Sequence, residues 1–172
     1  HGHINYGENK VQEAVEKWSE IKASYDKIKL HMIGKLQTNK VKYVIPIFDY
    51  IHSLDSIKLA EKISIEQNKL KKDLKIFIQV NIGNEVQKGG IDPSNLKNFY
   101  DKCISNFGLN IIGLMCIPPQ TDVTIHFDKM QKLNQILGLK ELSMGMSADY
   151  LEAIQRGSSF VRIGSKIFGE RN

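Results

Sequence analysis

The feature that most constrains this chain is an alternation: short β-rich runs and longer helical stretches follow one another from end to end, without a linker or low-complexity segment. Strands are predicted at Ile4 to Tyr6, Ile28 to Ile33, Tyr50 to Leu54, Lys75 to Ile82, Ile111 to Met115, Glu141 to Met144 and Phe160 to Ile163. Between them, apolar residues recur at helical spacing, as in Val11, Ala14, Val15 and Trp18, or Phe127, Met130, Leu133 and Ile136. Asp55 or Ser56 is placed to cap one helix, and Asp92-Pro93-Ser94 to open another. The run Ile76, Phe77, Ile78, Val80 is apolar on both faces, as a strand inside a parallel sheet must be. Repeated strand–helix units imply a parallel sheet with helices outside. The expectation is a single α/β domain over residues 1–172, a (β/α)8 TIM-barrel-like fold with seven of its eight strands. An open doubly wound sheet is the alternative.

Composition narrows the function. With 172 residues, 41% hydrophobic and 25% charged, the chain can bury a core without metal or disulfide staples. No apolar run approaches the roughly 20 residues that span a bilayer, and His1-Gly2-His3-Ile4-Asn5 has no signal-peptide character. The net charge of +5 comes from lysines scattered along the chain, which argues against nucleic acid as partner. Cys103 and Cys116 lack metal or redox spacing, and the five histidines lack helical i, i+4 pairing. A cytoplasmic protein with reduced thiols and no metal is expected.

In parallel barrels, ligands sit where strand C-terminal ends meet the next loop, and phosphate often sits on the last two such loops. Here those loops are Gly145-Met146-Ser147, ahead of a helix predicted from Ala148, and Gly164-Ser165. A hydroxyl and free amides at a helix start favour an anion, and glycine lets it approach the backbone. Ordinary helix capping uses the same residues. Arg162 stands on the strand face opposite Val161 and Ile163, so a lumen-facing guanidinium needs an acceptor. A ligand, or a carboxylate such as Glu8 or Asp55, would supply one.

The sequence resembles the pyridoxal phosphate homeostasis protein family, whose barrel is like the N-terminal domain of alanine racemase. The resemblance rests on Tyr6-Gly7-Glu8-Asn9, the run His31 to Lys40, His52-Ser53-Leu54-Asp55, Gln79 to Ile82 with Lys88-Gly89-Gly90, Gly113-Leu114-Met115, Leu142 to Ser147 and Val161 to Gly169, in this order. It implies binding of pyridoxal 5′-phosphate (PLP). Ser147, Gly164 and Ser165 match positions that hold the cofactor phosphate, with Ser165 where the family often has Thr. Arg162 matches the arginine beside the pyridine nitrogen. Asn9, His31 and Met115 match residues lining the pocket.

The family's Schiff-base lysine lies on a first strand upstream of the Gly-Glu-Asn motif, and Gly7 is here the seventh residue. The chain is therefore expected to lack that strand and lysine, as a fragment or a degenerate copy, and to hold PLP weakly or not at all. The resemblance implies a non-catalytic carrier in vitamin B6 homeostasis. Two alternatives stand beside it: a fold type III PLP enzyme such as a racemase or decarboxylase, and a barrel enzyme for another phosphorylated metabolite, with Glu8, His31 and His52 as acid–base candidates. No room for a β-rich second domain follows Gly169, so a monomer is expected.

Overall fold

The computed structural model describes residues 2–85 and 87–169. Among these, β1 (Asn5–Glu8), β2 (Lys29–Met32), β3 (Tyr50–Leu54), β4 (Lys75–Gln79), β5 (Ile111–Met115), β6 (Glu141–Met146) and β7 (Phe160–Arg162) form one sheet in chain order. Every neighbouring pair is parallel. The connections carry the helices α1 (Val11–Ser24), α2 (Val41–Val44), α3 (Ile57–Leu70), α4 (Leu96–Ser105), α5 (Val123–Ile136), α6 (Tyr150–Gln155) and α7 (Ser165–Phe168).

Adjacent strands lie roughly 4.8 Å apart, so β3 and β6 in a flat sheet would stand about 14 Å apart. Instead His52 Nδ1 on β3 lies 2.8 Å from Ser143 Oγ on β6. The sheet is curled into a nearly closed barrel, as the strand–helix alternation predicts. The doubly wound alternative is thereby set aside.

Alternation of side chains along the strands then builds two layers. Leu30, Met32, Ile51, Ile76, Ile78, Leu114, Leu142 and Met144 face outward into one apolar cluster with Ala14, Trp18, Leu59, Ile63, Phe99, Phe127 and Met130 from the helices. The inner layer is aromatic and polar. His31 stacks on Tyr50 with centroids 4.1 Å apart, His52 stacks on Phe77 at 4.3 Å, and Phe160 meets Phe77 edge-on. Register pairs Gln79 with Met115, Met115 with Ser143, and Ser143 with Phe160, which puts all four on the lumen face.

Several predicted boundaries shift, among them the ends of β2, β6 and β7 by one or two residues. β1 runs on to Glu8, because Gly7 and Glu8 pair with His31 and Met32. β4 ends at Gln79 rather than Ile82, because the following loop folds back: Val80 bridges Ile91, and the Asn81 amide bonds the Glu85 carbonyl at 2.9 Å. Of the two cap candidates for α3, Ser56 serves, its hydroxyl accepting from the Leu59 amide at 3.3 Å.

Candidate functional site

The last two strand–helix loops meet at the C-terminal end of the barrel. Gly145 near the end of β6 has φ +92, and a Cβ there would lie 2.6 Å from Ala153 Cβ. Only glycine lets the loop close onto α6 at this point. The helix begins at Tyr150, not at the predicted Ala148, because Asp149 accepts a hydrogen bond from the Met146 amide at 2.6 Å and holds the intervening residues in a turn. Ser147 therefore lies in that turn rather than at a helix cap, and its hydroxyl accepts from the Gly164 amide at 3.2 Å. That bond joins one loop directly to the other. The Lys166 ammonium, 4.7 Å from the centre of the Tyr150 ring, ties α7 to α6 as well.

Gly164 has a different character from Gly145. Its φ of −123 lies outside the left-handed region, and a Cβ there would meet nothing within 4 Å. Neither backbone nor packing demands glycine, so the space above it is open. Ser165 opens the single turn α7, and the first amides of any helix lack an intrahelical acceptor. Ser147, the start of α7 with Ser165, and the open ground over Gly164 lie together where the two loops meet, and hydroxyls and free amides are donors a phosphate takes.

Arg162 sits below the cup. Its two terminal nitrogens donate to Ser143 Oγ at 2.7 Å and to the Cys116 carbonyl at 2.8 Å. The carboxylates the sequence offered, Glu8 and Asp55, are not its partners. Glu8 accepts from Trp18 Nε1 at 2.6 Å and pairs with Lys17 at 2.6 Å. Burial presses the guanidinium's pKa down from its ordinary value, while Cys116 and Asp149 oppose the shift. It stays a cation, because arginine does not deprotonate in proteins.

The lumen below Arg162 carries a chain of polar side chains. Ser143 Oγ lies 2.8 Å from His52 Nδ1, His52 Nε2 lies 3.0 Å from His31 Nδ1, and His31 Nε2 lies 3.1 Å from Asn5 Oδ1. His31 is thus a buried histidine with both ring nitrogens engaged. Burial lowers its pKa from 6.5 to about 4. Burial likewise drives His52 well below its ordinary value, helped by His31 and Arg162. Both rings are neutral near pH 7. Met115 is fully buried on the lumen face beside Ser143. Asn9 is exposed at the end of β1, its carbonyl so close to Gly34 that a Cβ there would come within 2.1 Å. The structure thus brings Ser147, Arg162, Gly164 and Ser165 into one locale, with Met115 beside Ser143, Arg162's partner. His31 lies deeper, and Asn9 stands on the β1–β2 side of the rim.

Sequence reading missed Asn5, Ser143 and the Cys116 carbonyl. The signal was present as polar residues at inward positions of apolar strands, most plainly Ser143 between Leu142 and Met144. A surface depression of about 330 Å³ lies at the opposite end of the barrel around Asp49 and Lys72. Its lysines are already engaged: Lys29 pairs with Asp49 at 3.7 Å, Lys72 bonds the Pro46 carbonyl, and Lys75 donates to the Tyr50 hydroxyl at 3.4 Å. The loop cup, open rather than enclosed, is where parallel barrels place their ligand chemistry.

A parallel barrel whose last two strand–helix loops carry Gly and Ser defines a class, and the alanine racemase N-terminal domain family matches residues 1–172. Within that class, a pyridoxal phosphate homeostasis protein of Aquifex aeolicus is 42% identical over 178 residues, covering 96% of this chain and 76% of that protein. PipY of Synechococcus elongatus, solved with PLP bound, superposes with a TM-score of 0.88 at 32% identity, covering 98% of this chain and 82% of that one. The D-threonine aldolase of Filomicrobium marinum shares the fold at a TM-score of 0.73 but only 12% identity, over 97% of this chain and 49% of that one. The chain belongs to the pyridoxal phosphate homeostasis protein family.

Proposed function

We propose that this chain is a homeostatic PLP carrier that grips the cofactor by its phosphate, weakly and without covalent capture, rather than driving chemistry on it. The observation that carries the reading is the 3.2 Å bond from the Gly164 amide to Ser147 Oγ, which unites both loops into one cup with Arg162 beneath. PipY, an aligned relative, is described with PLP bound.

Each residue has a distinct task. The Ser147 and Ser165 hydroxyls and the amides that open α7 take up the phosphate oxygens. Glycine at 164 keeps the approach clear. Arg162, a permanent cation, would stand toward the ring nitrogen and would disfavour a second positive charge there. PLP supplies an electron sink when its ring nitrogen is protonated, so an arginine at that position restrains the cofactor's reactivity. Met115, beside Arg162's partner Ser143, would offer an apolar, polarisable wall.

The residues that would run acid–base catalysis are committed elsewhere. Glu8 is held by Trp18 and Lys17, and both nitrogens of His31 and of His52 are bonded within the lumen. This favours a non-catalytic carrier over an amino-acid racemase or a barrel enzyme for another phosphorylated metabolite. The test is calorimetric titration with PLP and with pyridoxal, which lacks the phosphate, alongside a racemisation assay on alanine and serine. Binding of PLP but not pyridoxal, with no racemisation, is expected. Equal binding of both, or turnover of either amino acid, overturns the reading.

A further inference from the structure

We propose that Ser143 and His52 are positioning residues for Arg162, joined to it by a hydrogen-bond chain that runs one way across the lumen from β7 to β1. The inference rests on the reading of Arg162 as the contact to the cofactor ring. Its direction follows from chemistry. A guanidinium has donors only, so Arg162 must donate to Ser143 Oγ, at 2.7 Å. The Ser143 hydroxyl proton then has His52 Nδ1 as its acceptor at 2.8 Å. That makes His52 an Nε2–H tautomer, which donates to His31 Nδ1 at 3.0 Å. His31 in turn becomes an Nε2–H tautomer and donates to Asn5 Oδ1 at 3.1 Å. Every donor meets one acceptor. Reversing the chain would require Ser143 to accept from both Arg162 and His52, which leaves its own buried proton without a place in the chain, a costly arrangement in an apolar interior.

The chain matters for what it withholds as much as for what it supplies. Ser143 and the Cys116 carbonyl fix both terminal nitrogens of Arg162 with neutral oxygens, and none of the described ion pairs places a carboxylate against it. A carboxylate would hold the guanidinium equally well but would cancel its charge toward a ligand. An aligned row of neutral dipoles orients the arginine, and Asp149 acts on its charge without forming an ion pair with it, so most of that charge stays available to a ligand ring. His52 and Ser143 touch no ligand in this scheme; they act through Arg162.

Nitrogen-15 NMR of the ligand-free 172-residue chain at pH 7 tests this directly. His52 and His31 are expected as neutral Nε2–H tautomers, and the Arg162 terminal N–H groups as separate, slowly rotating signals. Ser143→Ala should merge those signals while the backbone spectrum stays folded. It should also weaken PLP about tenfold while leaving inorganic phosphate binding unchanged, a split that general loosening of the barrel would not produce. An imidazolium or an Nδ1–H tautomer at His52 overturns the proposal, as do unchanged Arg162 signals in the variant. If Ser143→Ala does not fold, the wild-type tautomers still decide. A wild-type chain that binds no PLP but shows the expected tautomers and restrained Arg162 would refute the cofactor reading and keep the positioning role.

Discussion

Two glycines in adjacent loops should respond oppositely to the same substitution. At Gly145, alanine must adopt φ +92 and place its Cβ 2.6 Å from Ala153 Cβ, with the Tyr150 Cα at 3.1 Å. Left-handed strain costs roughly 1 to 2 kcal/mol for a non-glycine residue, and the overlap forces α6 outward besides, so Gly145→Ala should destabilise by about 2 to 3 kcal/mol. In a domain of this size, 1 kcal/mol moves Tm by about 2 to 4 °C, giving a fall of about 4 to 12 °C. At Gly164 the backbone is not left-handed and a Cβ meets nothing within 4 Å. Gly164→Ala should leave Tm within about 2 °C, because nothing is crowded and the unfolded chain loses some freedom. The new methyl instead stands where the phosphate approaches, and PLP affinity should fall about tenfold or more. Calorimetric melting and a PLP titration on the two variants read both quantities. A Gly164→Ala protein that melts as early as Gly145→Ala, or that binds PLP like the parent, refutes the division between an architectural and a ligand-facing glycine.

Further outcomes follow from the same geometry. Removing the Ser147 hydroxyl as alanine should weaken PLP and inorganic phosphate together, unlike Ser143→Ala, while changing stability by under about 1 kcal/mol because the site is open to water; paired titrations check this. Lowering the pH should destabilise the fold before the carboxylates titrate. His31 has a pKa of about 4 in the folded chain against 6.5 as its ordinary value. The unfolded chain therefore binds the extra proton between those values, so this stability is complete above pH 6.5 and is lost as pH falls toward 4, by about 3 kcal/mol in all. His52 shifts in the same direction and adds to the loss. Urea midpoints at pH 7 and pH 5 measure it, and equal midpoints would contradict the buried neutral pair. Borohydride treatment of this chain with PLP should leave no stoichiometric lysine adduct by mass spectrometry; a single modified lysine at full occupancy would show covalent capture by a residue not assigned to that role.

The barrel was legible because its signals are local. Each strand is a short apolar run, each helix a 3.6-residue stripe, and Tyr50–Leu54 and Ile111–Met115 appear with the expected limits. That the two serine-bearing loops are neighbours was legible too, since Gly-x-Ser and Gly-Ser follow consecutive strands. Partnerships that depend on closure were not. Arg162 was visible as a cation needing an acceptor, but Ser143 is 19 residues away and the Cys116 carbonyl 46 away, and a backbone carbonyl has no sequence signature. The start of α6 was misplaced because Asp149, rather than Ser147, captures the free amide at the turn. The His31–His52 contact needs two strands at the right level of a curved sheet, which periodicity alone does not specify.

The claim on which the rest depends is that the β6–α6 and β7–α7 loops hold the phosphate of PLP, and a crystal of this chain soaked with PLP tests it most directly. The account predicts phosphate density within hydrogen-bonding distance of the Ser147 and Ser165 hydroxyls and the Gly164 region, with the pyridine nitrogen turned toward Arg162. Density instead at the lysines around Asp49, or a ring turned away from Arg162, would contradict it.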